Sequence, residues 1–213
     1  MRIGLLGGTF DPVHVGHLTV ARAARRGLAL DRVLLVPVHV PPHKPAGPTL
    51  AGDVRADLIA RAVEDDPHLE LSRLELDRPG PSYSVDTLRR VRAAHPDADL
   101  WFVMGADQLR TFGEWRDPAG IVALARLAVV PRPGEDTAVL ADRADRVTAG
   151  RVDWIACPEV DVSSSDVRAR MATGRPIDGL VPEVVATRLR RIGLVPSARS
   201  EGTSEEAWSH RSI

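Results

Sequence analysis

The stretch Gly7-Gly8-Thr9-Phe10-Asp11-Pro12-Val13-His14-Val15-Gly16-His17, entered directly from the apolar segment at residues 2–6, decides how the rest of the chain is read. A short aliphatic run, paired glycines and then a helical pattern form the opening of an open α/β sheet, whose ligands bind beyond the carboxyl ends of the strands. The loop has neither the Gly-Lys-Ser/Thr of a P-loop nor the G-x-G-x-x-G spacing of a dinucleotide fingerprint. What it holds is a tight glycine turn, a proline and two histidines three residues apart where a helix begins. That spacing puts His14 and His17 on one side of a helical turn, and Gly16 between them lets a ligand approach the backbone. Free N–H groups and partial positive charge at the helix N-terminus suit a polyphosphate. A zinc pair or a plain helix cap is the alternative, but two imidazoles without a third nearby ligand make a poor metal site.

Outward from this loop, short Val-, Leu- and Ile-rich segments alternate with stretches of helical period, as in a parallel sheet covered on both faces. Strands are expected at 2–6, 32–36, 69–74, 99–104, 127–131 and 153–156, and helices at 16–27, 53–65, 84–94 and 118–123, with a weaker one at 137–145. The alternation then stops, and two helical stretches follow at 164–173 and 182–192, the second with Pro182 in its first turn. The expected fold is α/β, a Rossmann-like doubly wound parallel sheet with a helical C-terminal part, forming one domain over residues 1–196. The Ser- and Glu-rich stretch 197–213 has little to bury and is expected to be a disordered tail.

Composition narrows the function. With 28 Lys plus Arg against 29 Asp plus Glu, the net charge of −1 provides no global basic field for nucleic acid or an anionic membrane. Phosphate chemistry must therefore come from a local cluster. One cysteine, Cys157, cannot form an intramolecular disulfide, and no uninterrupted apolar run approaches bilayer length. Together with an N-terminus lacking a secretory cleavage site, this gives a cytoplasmic reading.

Several other residues invite both a chemical and a structural reading. Lys44, the sole lysine, stands on a loop stiffened by Pro41, Pro42 and Pro45 and either neutralises a phosphate or is a solvated surface charge. Tyr83 and Trp115 offer rings for a planar ligand, or pack at a loop base. Asp107, just past a strand end, suits ribose hydroxyls or a helix cap. Arg132 meets a phosphate or ties down its own loop. Ser163, Ser164 and Ser165 open a helix with Arg168 one turn in, which reads either as an N-cap or as a phosphate cradle. Cys157, followed by proline, is a small buried or loop residue, and His68, His95 and His210 are structural or exposed.

The long form G-G-T-F-D-P-x-H-x-G-H resembles the nucleotidyltransferase signature of the bacterial nicotinate-nucleotide adenylyltransferase family. Pro41-Pro42-His43-Lys44, Pro81-Ser82-Tyr83-Ser84-Val85-Asp86-Thr87-Leu88, Gly105-Ala106-Asp107, Trp115, Pro131-Arg132-Pro133-Gly134 and Val162-Ser163-Ser164-Ser165-Asp166-Val167-Arg168 are similar to further family segments, in the family's order. The departures are mild: Ser165 stands where Thr is frequent, and Val162 and Val167 where Ile is.

This resemblance implies transfer of ATP's adenylyl group to nicotinate mononucleotide in NAD biosynthesis. It implies catalytic roles for His14, His17 and Lys44. ATP would be held by Gly7, Gly8, Thr9, Phe10, Gly16, His17, Gly105, Asp107, Ser163, Ser164, Ser165 and Arg168. Nicotinate mononucleotide would meet Gly8, Thr9, Lys44, Tyr83, Ser84, Trp115 and Arg132. Mg²⁺ would be bound mainly through ATP's phosphates, with no protein metal site. Partners would be the two nucleotides, with a homo-oligomer left open. The rivals are a related transferase such as the pantetheine-phosphate enzyme, and a non-catalytic nucleotide sensor.

Overall fold

The computed structural model describes residues 1–42, 47–131, 137, 140, 148 and 150–195. Among them, six strands form one all-parallel sheet: β1 (Arg2–Gly8), β2 (Arg32–Pro37), β3 (Leu69–Leu71), β4 (Asp99–Gly105), β5 (Arg126–Val130) and β6 (Val152–Trp154). Their order is β3-β2-β1-β4-β5-β6, so the chain winds outward in both directions from β1. That reversal opens a crevice above the carboxyl ends of β1 and β4, where doubly wound sheets take their ligands.

The period of two along each strand divides the core. Val33, Leu35, Val103 and Ala128 face one side, against Leu18 and Ala21 of α1 (Val15–Gly27) and Leu58 and Ile59 of α2 (Gly52–Val63). Ile3, Leu5, Leu34, Phe102 and Leu127 face the other, with Val85 and Leu88 of α3 (Ser84–Ala94). There follow α4 (Ala106–Arg110), α5 (Pro118–Leu124), α6 (Ser164–Ala172) and α7 (Glu183–Arg191). Val167, Val185 and Leu189 bring the last two onto the α1 side, and Arg188 pairs with Asp57 of α2 at 2.6 Å.

Most expected elements lie within two residues of the observed ones, with three differences. The third strand stops at Leu71 instead of Leu74, because Asp77 N–H donates to the Arg73 carbonyl at 3.0 Å and Ser82 and Thr87 hold Glu75 inside the turn that follows. Pro182 caps the last helix from outside, its carbonyl accepting the N–H groups of Val185 and Ala186. The short α4 has no counterpart in the sequence expectations. Of the expected helix at 137–145, Thr137 and Leu140 are helical and the remainder lies outside the described residues, as does the tail at 197–213.

Candidate active site

The turn after β1 is built around Gly8, the crowded member of its glycine pair. Phe10 has a φ of +48°, a left-handed conformation that bulky residues rarely adopt, and its ring is 1% exposed. A Cβ on Gly8 would lie 3.2 Å from that ring, so glycine is what lets Phe10 fold back over the strand end. The ring then meets His17 with centroids 4.7 Å apart.

His14 stands at the N-cap of α1, and its ring stacks on His17 at 3.7 Å. His14 N–H donates to His17 Nδ1 at 3.2 Å, so neutral His17 carries its proton on Nε2 and is a hydrogen-bond donor there. Removal from water brings the His14 pKa down to about 4. The same cause, reinforced by the neighbouring His14, holds His17 well below its ordinary value. Both imidazoles are therefore neutral at pH 7, which lets them stack without repulsion. His14 Nδ1 is buried without a hydrogen-bond partner. Gly16 packs tightly at this point too: a Cβ there would come within 3.1 Å of both the His14 ring and Val162.

The C-terminal helices grip the same loop. Ser164 Oγ donates to the Pro12 carbonyl at 3.1 Å, Arg168 Nη1 to the Asp11 carbonyl at 2.8 Å, and Val15 N–H to the Leu180 carbonyl at 3.0 Å. Ser163 Oγ accepts from Asp166 N–H at 3.1 Å, which is the plain N-cap, and Ser165 Oγ accepts from Arg168 Nη2 at 3.1 Å. The cap has a measurable consequence. Ser163→Ala is expected to lower stability by about 1 kcal/mol, read as a shift in urea midpoint at constant slope.

Of the other expected residues, Gly105, Asp107, Tyr83, Ser84 and Trp115 are described. Gly105 ends β4 two residues past the Leu6–Val103 pair, as Gly8 ends β1 two residues past Leu6, and Asp107 follows in the first turn of α4, exposed. Tyr83 and Ser84 are brought in by a bridge between Val40 and Pro81 and by His39 N–H donating to Ser82 Oγ at 3.0 Å. The Arg116 guanidinium lies 4.4 Å over the Tyr83 ring, which places the Trp115 segment beside it. Trp115 is half-buried, its ring meeting Phe102 and Phe112 at 5.9 and 5.6 Å, so core packing fixes it. Lys44 and Arg132 lie outside the described residues.

Sequence reasoning missed Arg55. This side chain is 1% exposed and donates to the carbonyls of Thr9, Val38 and Leu50 at 2.7, 2.8 and 3.1 Å. Beside it, the Asp11 carboxylate accepts the N–H groups of Thr49 and Leu50 at 2.7 and 2.8 Å. The available signal was an arginine three and four residues before Leu58 and Ile59, on the buried stripe of α2. Of the remaining expectations, Cys157 is half-buried, and burial pushes its thiol pKa up. His68 and His95 each bond an arginine, Arg25 and Arg32. No helix among the described residues is long and apolar enough to cross a membrane.

Residues 5–170 match the model of the cytidylyltransferase-like family. A Thermus thermophilus protein named "Probable nicotinate-nucleotide adenylyltransferase" is 42% identical over 194 residues, covering 91% of this chain and 99% of its own. One of the same name from Chromobacterium violaceum is 40% identical over 204 residues, covering 89% and 96%. Among solved structures, the Plasmodium falciparum nicotinic acid mononucleotide adenylyltransferase complexed with NaAD superposes with a TM-score of 0.74 over 91% of this chain and 96% of that one. At 14% identity that likeness concerns the fold. With its parallel sheet, its paired histidines at the β1–α1 turn and relatives matched nearly end to end, the chain belongs to the cytidylyltransferase-like family and, within it, to the nicotinate-nucleotide adenylyltransferases.

Proposed function

We propose that this protein joins the adenylyl group of ATP to nicotinate mononucleotide, giving nicotinate adenine dinucleotide and pyrophosphate. The observation that carries the reading is the His14–His17 pair, neutral, stacked and fixed at the N-terminus of α1, with the His17 proton on Nε2. A phosphate oxygen of the mononucleotide attacks ATP's α-phosphorus in line, and the bond to the bridging oxygen of pyrophosphate breaks. The nucleophile is already an anion near neutral pH, so the protein supplies no general base and forms no covalent intermediate. Its task is positioning and relief of repulsion between two polyanions. His17 donates through Nε2 to the α-phosphate as charge builds there, and His14 and Lys44 meet the phosphates.

In this reading Gly7, Gly8, Thr9 and Phe10 cradle phosphate, and Gly16 allows its close approach. Gly105 and Asp107 take the adenosine ribose. Ser163, Ser164, Ser165 and Arg168 take ATP's terminal phosphates by exchanging some of their present partners. Tyr83, Ser84 and Trp115 frame the pyridine ring, with Arg132 on the mononucleotide phosphate. Among the described residues no group of three or more His, Cys, Asp or Glu side chains is placed to hold a metal ion. Mg²⁺ brought in with ATP would be held mainly by phosphate oxygens and water, and would supply charge neutralisation at the phosphates.

The test is pyrophosphate release from ATP and Mg²⁺ with nicotinate mononucleotide, nicotinamide mononucleotide and phosphopantetheine offered separately. Strong preference for the first is the expected result. Release only with phosphopantetheine would reassign the substrate, and ATP binding without release from any of the three would make the protein a nucleotide sensor.

A further inference from the structure

Arg55 is the one charged side chain of α2 that the fold closes off from solvent. A buried cation is costly unless its donors are engaged, and here Nη1, Nη2 and Nε each reach a main-chain carbonyl, on Thr9, Val38 and Leu50. With Asp11, which accepts the Thr49 and Leu50 N–H groups, it fastens together the turn after β1, the chain leaving β2 and the entry to α2. Lysine, a point charge, cannot span three carbonyls in this way.

The Thr9 carbonyl is the contact that reaches the chemistry. A trans peptide is planar with its N–H opposed to its C=O, so aiming Thr9 C=O at Arg55 turns the Phe10 N–H away from Arg55. Phe10 is buried, yet its N–H makes no hydrogen bond among the described residues. Such a group is paired in a working protein, by solvent or by a ligand. The same peptide leads into the left-handed Phe10 backbone that lays the ring against His17 at 4.7 Å. That conformation persists only where its surroundings over-determine it, and the anchored carbonyl is one such restraint.

We propose that Arg55 is a positioning residue for adenylyl transfer, holding the Thr9–Phe10 peptide so that the Phe10 N–H meets a substrate phosphate oxygen while the Phe10 ring seats His17. It touches no substrate and acts through the main chain. The proposal rests on the transferase reading above, and its test separates the two.

Arg55→Lys keeps the charge and removes the three-way fork. Its thermal unfolding, kcat and KM for ATP are to be compared with those of the unaltered protein. In parallel, the amide spectrum of the unaltered protein is to be recorded with and without a methylene-bridged ATP analogue. The expected result is a folded variant whose kcat falls about ten- to a hundredfold with KM for ATP little changed. The Phe10 amide proton is expected to move downfield when the analogue binds. A folded Arg55→Lys variant with undiminished kcat would overturn the proposal. So would a Phe10 amide that stays put while neighbouring resonances report bound analogue. If the variant does not fold, the Phe10 measurement decides alone. If the unaltered protein binds nucleotide but transfers nothing, the transferase reading fails, and the Phe10 response still judges how the turn is held.

Discussion

Replacing His17 with alanine is expected to lower the kcat of pyrophosphate release by about a hundred- to a thousandfold, the cost of deleting one fixed donor aimed at developing charge. The effect falls on kcat, with KM for ATP changing much less, because the charge that Nε2 meets grows only on the way to the transition state. A loss of this size is expected because His17 is fixed in place. Nδ1 is occupied by the His14 N–H, the ring is clamped between His14 and Phe10, and the proton is therefore already on the nitrogen that donates. Steady-state kinetics of His17→Ala, with folding confirmed by circular dichroism, checks this. Turnover close to that of the unaltered protein would remove His17 from the mechanism.

The second large effect concerns stability in mild acid. Unfolded histidine titrates near 6.5, whereas burial holds His14 at about 4 in the folded chain and His17 lower than its ordinary value. Above pH 6.5 both states are neutral and the pair contributes no pH dependence. As pH falls below 6.5 the unfolded chain binds protons that the folded chain refuses, so stability declines and levels only below the folded pKa. For His14 alone the drop between pH 6.5 and 4 is on the order of 3 kcal/mol, and His17 acts in the same direction. Carboxylates add a separate loss at lower pH: Asp153, held below its ordinary value by hydrogen bonding from Arg126, gives up its contribution as pH falls below about 4. Urea unfolding at a series of pH values should show the upper window, and His14→Gln should flatten it. An unchanged slope in that variant would show that His14 is not held neutral by burial.

The fold was legible because its signals are local. Short Val-, Leu- and Ile-rich runs located most strands to within two residues, and stretches of helical period located α1, α2, α3 and α7 comparably. The third strand was over-extended because the aliphatic residues Leu74 and Leu76 continue its composition, while the bend at Arg73–Asp77 is closed by a carbonyl-to-amide bond and an ion pair at 2.9 Å whose two charges, four residues apart, do not by themselves mark a strand end. α4 was missed because a five-residue helix offers barely more than one turn of period.

The site divides along the same line. By itself the sequence marked Gly7 to His17 as the candidate site, and determined that the two histidines share a helical face and that the loop sits at a strand's carboxyl end, since spacing and adjacency along the chain suffice for each. Only the tertiary structure decided that β4 lies beside β1, bringing Gly105 and Asp107 to the crevice, and that Ser164 and Arg168 reach the carbonyls of Pro12 and Asp11 across more than 150 residues. It likewise decided that Arg55 is buried beneath the turn. The physical reason is common to all three. A main-chain carbonyl is the same group at every position, so nothing in the sequence marks which one a distant arginine or serine will find. That choice is made when sheet order and helix packing bring the two together.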